Sequence, residues 1–159
     1  FVYAAVRAEQ FWPASTGGVG VRLSGAAGAV GGERIPAQRL FPAGGRGTVG
    51  GYNFHEFVGN LYGAASIEIN RRISHPLLSI SLFSDIGWVG IDGEGARRAV
   101  SVWSQAGAPA GATNGALVGV GASLGVVYDI LWLDIARGLG ERAIWEVLFR
   151  VRSEFWGWL

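Results

Sequence analysis

Trp145-Glu146-Val147-Leu148-Phe149-Arg150-Val151-Arg152-Ser153-Glu154-Phe155 alternates with a period of two. The odd positions read Trp, Val, Phe, Val, Ser, Phe, and the even ones Glu, Leu, Arg, Arg, Glu. Successive side chains of an extended chain leave on opposite sides, so one face of this segment is apolar and aromatic and the other mostly charged. A strand of a soluble sandwich carries the same alternation, so the segment establishes a strand and not its surroundings.

Working outward, the pattern recurs. In residues 78–88, Leu78, Ile80, Leu82, Ile86 and Trp88 share one face, while Ser79, Ser81, Phe83, Asp85 and Gly87 share the other. In 61–72, Gly63, Ala65, Ile67 and Ile69 oppose Tyr62, Ala64, Ser66, Glu68 and Asn70. In 116–128, Val118, Val120, Ala122, Leu124, Val126 and Tyr128 oppose a row rich in Gly and Ser. Residues 2–11, 18–30 and 131–137 bring the total to about seven strands, several near the roughly 9–11 residues of a tilted membrane-spanning strand. A transmembrane helix over 115–133 is the rival reading. Asp129 and Asp134 interrupt it, and Gly115, Gly119, Gly121 and Gly125 would each cost about 1 kcal/mol in a helix relative to Ala.

The connections alternate in length. Residues 12–17, 73–76 and 129–130 are short turns; 31–60 and 89–114 are long loops, and 138–143 is of moderate length. Outer-membrane barrels keep short turns at one end and long loops at the other, whereas a soluble sandwich has no reason to. Aromatics gather near strand ends, at Phe11, Trp12, Trp88, Tyr128, Trp132, Trp145, Trp156 and Trp158, as interfacial girdles require.

Composition agrees with a β-protein: half the residues are hydrophobic, 16% are charged and 27 are Gly. The 13 basic residues, all Arg, nearly balance 12 acidic ones, so nucleic acid is not an implied partner. The absence of Cys removes thiol chemistry, and His55 and His75 lack a second His at metal-binding spacing, so no metal or cofactor is implied. The glycine clusters at 17–20 and 44–47 lack the Lys-Ser/Thr ending of a phosphate loop. Asp92, Glu94, His55 and Glu56 read as solvated loop residues, and the chain does not read as an enzyme. It starts at Phe1 and has no Met, which reads as a fragment or processed product.

Gln38-Arg39-Leu40-Phe41-Pro42-Ala43-Gly44-Gly45, with Arg46 and then Thr48-Val49-Gly50-Gly51-Tyr52, resembles the lumen loop of the BamA and two-partner-secretion transporter superfamily of outer-membrane β-barrels, the bacterial surface antigen family. That family carries a GG pair followed by V-R-G-Y or V-R-G-F on a loop folded back into the barrel. Phe83-Ser84-Asp85-Ile86-Gly87 resembles its F-x-D-x-G strand, Glu68 lies on the companion strand, and 133–139 and 145–156 resemble its last two strands. The resemblance covers roughly 38–159 and rests on the order of the pieces. It implies an all-β, antiparallel up-and-down transmembrane β-barrel, of which this chain is the C-terminal part of a sixteen-stranded whole, with residues 1–159 one partial domain and the lumen loop at about 31–60. It further implies a site formed by Gly44, Gly45, Arg46, Val49, Gly50, Gly51 and Tyr52 on the loop, facing Glu68, Phe83, Asp85 and Gly87 on the wall.

One position departs from the motif: Gly50 stands where the family has the Arg that reaches the acid, here Asp85. Arg46 is a candidate substitute, and a solvated loop residue is the other reading of it. The function implied is insertion or translocation of other proteins at the cell outer membrane. Its partners would be outer-membrane lipid, polypeptide substrates and periplasmic domains N-terminal to this part. A passive or structural outer-membrane barrel is the alternative, and a soluble ligand-binding β-domain a third class.

The final strand yields a first prediction. With Trp145, Val147, Phe149 and Val151 toward lipid, Val151→Arg places a charge in the bilayer at roughly 2–4 kcal/mol near the midplane. Val151→Arg is expected to impair assembly more than Arg150→Val, read by heat-modifiable migration of the full-length protein; equal effects would return weight to the soluble reading.

Overall fold

The computed structural model describes residues 1–14, 18–74, 77–105, 107, 111–127 and 130–151. His75, Pro76, Tyr128, Asp129 and the part of the last expected strand from Arg152 through Glu154 and Phe155, with Trp156 and Trp158, lie outside the described residues. In chain order the strands are β1 (Val2–Trp12), β2 (Gly20–Gly31), the short β3 (Phe41–Ala43) and β4 (Phe57–Gly59), β5 (Leu61–Ser74), β6 (Leu78–Gly90), β7 (Leu117–Val126), β8 (Leu131–Gly138) and β9 (Trp145–Val151). Among the described residues one α-helix, α1 (Glu94–Gln105), lies between β6 and β7, and a single 3-10 turn covers Ala37–Arg39.

Seven strands form one sheet in the order β1-β2-β5-β6-β7-β8-β9, with every neighbouring pair antiparallel. This is the up-and-down order that the period-two segments and turn lengths imply. The sheet is not closed: β1 and β9 form its two edges. Residues 117–126 and 131–138 are strands, so the helix weighed over 115–133 is not formed, and no described helix is long and apolar enough to cross a membrane.

The two long connections are more ordered than loops. Residues 31–60 contain the β3–β4 ribbon, and 89–114 contain α1, where the sequence predicts a loop. Ala96, Ala99, Val100 and Trp103 fall at helical spacing, but the stripe is short and flanked by Gly93, Gly95 and Gly107, which hides its period. The helix forms because that stripe has something to cover. Ala96 and Ala99 pack with Val30, Ile35, Leu40 and Val58, flanked by Phe41, Ile91, Val100 and Trp103. A second cluster joins Ala43, Val49, Tyr52 and Phe57 of the first loop to Val89 and Leu117 of the sheet.

Register fixes what each face presents. The pairings place Trp12, Val21, Ile69, Leu82, Ala122, Ile135 and Val147 in one row across the sheet. The next row reads Phe11, Arg22, Glu68, Phe83, Gly121, Ala136 and Glu146, on the opposite face. The apolar row is the exposed one: Leu82 is 60% and Val147 65% accessible, as is Phe149 at 62% on the same side. The small and polar face is covered by the first long loop, and Asp85 there is only 1% accessible. The sheet is therefore inside-out relative to a soluble sandwich, whose strands turn their large aliphatic side chains toward the core.

The α1 packing can be tested separately. Ala99→Asp buries a carboxylate among Val30, Leu40 and Val58, where an unpaired charge is expelled at a cost of several kcal/mol. Limited proteolysis is expected to cut within 94–105 much faster in this variant while the strands 61–90 stay resistant.

Candidate lumen loop and charged pocket

The loop between β2 and β5 reaches back over the inner face by a tight turn. Gly44 N–H donates to Thr48 Oγ1 at 2.8 Å, Thr48 N–H donates to the Gly45 carbonyl at 2.9 Å, and Gly45 bridges Val49. The turn carries the Arg46 side chain onto the wall of the sheet, where it is 13% accessible. Its Cζ sits 3.6 Å from the centroid of the Phe83 ring. Nη2 donates to Glu68 Oε2 at 3.4 Å; Nη1 lies 3.8 Å from Asp85 Oδ2 and Nε 3.7 Å from Asp134 Oδ2. The last two are charge contacts too long for hydrogen bonds. One guanidinium thus serves three carboxylates over an aromatic face, where cation–π attraction adds about 0.5–2 kcal/mol.

The carboxylates are otherwise engaged. Asp85 Oδ1 accepts from Ser66 Oγ at 2.5 Å and Oδ2 from the Gly50 N–H at 3.1 Å. Asp134 is paired with Arg150 through Arg150 Nε, and through Arg150 Nη2 at 2.9 Å. Glu146 on β9 accepts from two loop amides, Arg46 N–H at 3.1 Å and Gly51 N–H at 2.9 Å. Among the described residues no group of His, Cys, Asp and Glu is arranged to hold a metal. Beside the loop a polar cleft of about 640 Å³ is lined by Arg7, Glu9, Arg22, Arg46, Glu68, Asp85 and Arg150.

The rest of the motif positions the loop. Gly51 has φ +83°, and a Cβ there would overlap the backbone of Arg137 and Gly138, so a side chain at this position would push the loop off β8. Its carbonyl accepts from Ile144 N–H at 2.9 Å. Tyr52 is buried and its hydroxyl donates to the Val118 carbonyl at 3.3 Å. Val49 is buried against Gly87, where a Cβ would come within 2.5 Å of Val49 Cγ2. At Gly50 a Cβ would point at Ala136, Asp85 and Phe83, 3.0, 3.4 and 3.4 Å away. The direction in which a residue-50 side chain would leave is therefore the direction of the pocket, and Arg46 fills that pocket from four residues earlier.

Of the loop and wall residues named from the sequence, Arg46, Gly50, Glu68, Phe83 and Asp85 meet at this pocket, whereas Val49 packs on Gly87, and Gly51 and Tyr52 hold the loop against β8 and β7. Asp134, Arg150, Glu146 and Ser66 belong to it too and were not singled out. Alternation places Asp134 and Glu146 on charged or small faces, but which loop atoms they meet depends on register across four strands. Arg150 lines the cleft on the inner face and is paired there with Asp134. Its loss removes the two-pronged cation partner of buried Asp134, so Arg150→Val carries its own cost and narrows the gap from Val151→Arg.

Comparison with models of protein families gave no match, and neither did comparison with curated protein sequences.

Removing the shared cation takes the charged partner from beside buried Asp85, and breaking a buried pair of this kind typically costs about 3–5 kcal/mol. Arg46→Ala is expected to lower the temperature at which the folded, fast-migrating form is lost. Arg46→Lys should recover only part of the loss, since a point charge cannot lie flat on Phe83 while facing three acids; full recovery by Lys would show that planar geometry is irrelevant.

Proposed function

We propose that this chain is the C-terminal wall of a transmembrane outer-membrane β-barrel of the BamA and two-partner-secretion type, and that the complete protein inserts or translocates other proteins at the outer membrane. The observation that carries the reading is the loop folded onto the polar face and pinned by Arg46 among Glu68, Asp85 and Asp134, behind a sheet whose opposite face is aliphatic and exposed.

Each large side chain left in water forgoes about 1.5–3 kcal/mol relative to burial, and contiguous exposed apolar patches beyond a few hundred Å² are rare on soluble monomers. Lipid removes that cost without a second protein layer. Strand parity supports the same reading. Seven successive antiparallel strands leave β1 and β9 running in the same direction, so antiparallel closure requires an odd number of further strands between them and gives an even total. Within such a barrel the mixed-charge cleft beside the loop is lumen.

On this reading the partners are outer-membrane lipid, polypeptide substrates and periplasmic domains; no cofactor, nucleic acid or enzymatic step is involved. Gly50 favours a second reading, a passive or structural outer-membrane barrel that kept the fold without the translocase activity. Arg46 reaching Asp85 favours the first, because the loop-to-wall contact is present by another route.

Two measurements on the full-length protein separate these readings. Outer-membrane fractionation with heat-modifiable migration is expected, and recovery as a soluble protein would reject the barrel. Depletion should then reduce the amount of other outer-membrane or secreted proteins, with Arg46→Ala failing to restore them at wild-type levels of the folded variant; unchanged levels on depletion would leave the passive barrel.

A further inference from the structure

The outer face of the sheet keeps charge of one sign only. On the seven long strands, alternation and register turn the acids Glu9, Glu68, Asp85, Asp134 and Glu146 to the inner face. Among the described strand residues the outer face retains two charges, and both are arginines. Arg71 follows Ile69 on the outer side of β5 and stands opposite Ile80; Arg137 on β8 stands opposite Trp145. A solvated face would mix both signs.

The two arginines lie at opposite ends of the strands. Arg71 is three residues from the end of β5, beside the short turn into β6 and at the same end of the sheet as Trp12, the last residue of β1. Arg137 is the last but one residue of β8, beside the loop 138–143 and at the same end as Trp88 and Trp145. Between those ends the outer face presents exposed Leu82, Leu124, Leu133 and Ile135. Neither arginine has a carboxylate partner among the described residues. Arg71 is exposed and makes no hydrogen bond there, while Arg137 Nη1 donates to the Ala143 carbonyl at 3.2 Å and its Cζ lies 5.7 Å from the Trp145 ring centroid. On a lipid-facing strand Arg is costly at the midplane and nearly free at the interfaces, which its long stem reaches. There a guanidinium meets lipid phosphate, whose oxygens match its planar fork.

We infer that Arg71 and Arg137 are lipid-phosphate sites, each binding the phosphate of a headgroup on one side of the bilayer, and that together they set the depth of this wall in the membrane. The inference rests on the barrel reading and adds to it the chemistry of the lipid contact. The absence of acids from the outer face follows from the same contact, because a carboxylate there would repel the phosphates.

The test uses the full-length protein in dodecyl maltoside micelles, which contain no phosphate. Loss of the folded, fast-migrating form on heating is followed with and without added phosphatidylglycerol, and with a phosphate-free diacyl glycolipid as control. Phosphatidylglycerol is expected to raise the midpoint for the wild type and the glycolipid to raise it less. Arg71→Gln with Arg137→Gln should lose most of the phosphatidylglycerol shift while matching the wild type in maltoside alone, and Arg71→Lys with Arg137→Lys should keep part of it. A shift retained in the double Gln variant, an equal shift from the glycolipid, or the same loss with and without lipid would overturn the inference. Recovery as a soluble protein would overturn the barrel reading as well, whereas a folded barrel with an unaltered lipid response overturns this inference alone.

Discussion

The guanidinium of Arg46 lies over the Phe83 ring with carboxylates from β5, β6 and β8 around it, and the arrangement of the chain depends on that contact. Glu68, Asp85 and Asp134 on one covered face would repel one another and lose solvation if no cation joined them. Arg150 answers Asp134 from the neighbouring strand, and the loop brings a charge to the other two. Seating the loop therefore satisfies the wall, and the wall in turn gives the loop a deep anchor beside those of Val49 and Tyr52.

Everything apolar inside the molecule is organised by the same placement. The buried clusters form between the sheet and its long connections, not between two sheets, so Tyr52, Val49 and Phe57 are core only while the loop is seated. The helix α1 extends this packing over the β3–β4 region, with Val58 N–H donating to the Gly111 carbonyl to tie the two long connections together. The two connections thus behave as one layer laid across the same end of the sheet.

The outer face imposes the opposite demand. Ile69, Leu82, Ile135 and Val147 have no protein layer over them, and the hydrophobic effect sets a large cost for leaving such a row in water. On the proposed reading lipid covers that face while the charged face lines a watery interior, so both faces find a matching medium without a second sheet. Glu146 belongs to the same β9 that turns Val147 and Phe149 outward, and its carboxylate accepts from two amides of the loop on the inner face.

The sequence by itself determined the seven long strands, their up-and-down order and which side chains share a face, because a period of two is a local property readable over a few residues. It also marked the loop segment 44–52 and the wall positions Glu68, Phe83, Asp85 and Gly87 as candidates, through the order of motif pieces. Only the tertiary structure decided that Arg46 occupies the pocket in front of Gly50, that Asp134 and Arg150 complete it, and that Glu146 clamps the loop. Asp134, Glu146 and Arg150 lie 88, 100 and 104 residues from Arg46 along the chain, and their meeting depends on cross-strand register, which local alternation does not encode. The helix α1 was hidden for a related reason: its stripe of Ala96, Ala99, Val100 and Trp103 is short and flanked by glycines, and its stability comes from the loop residues it covers.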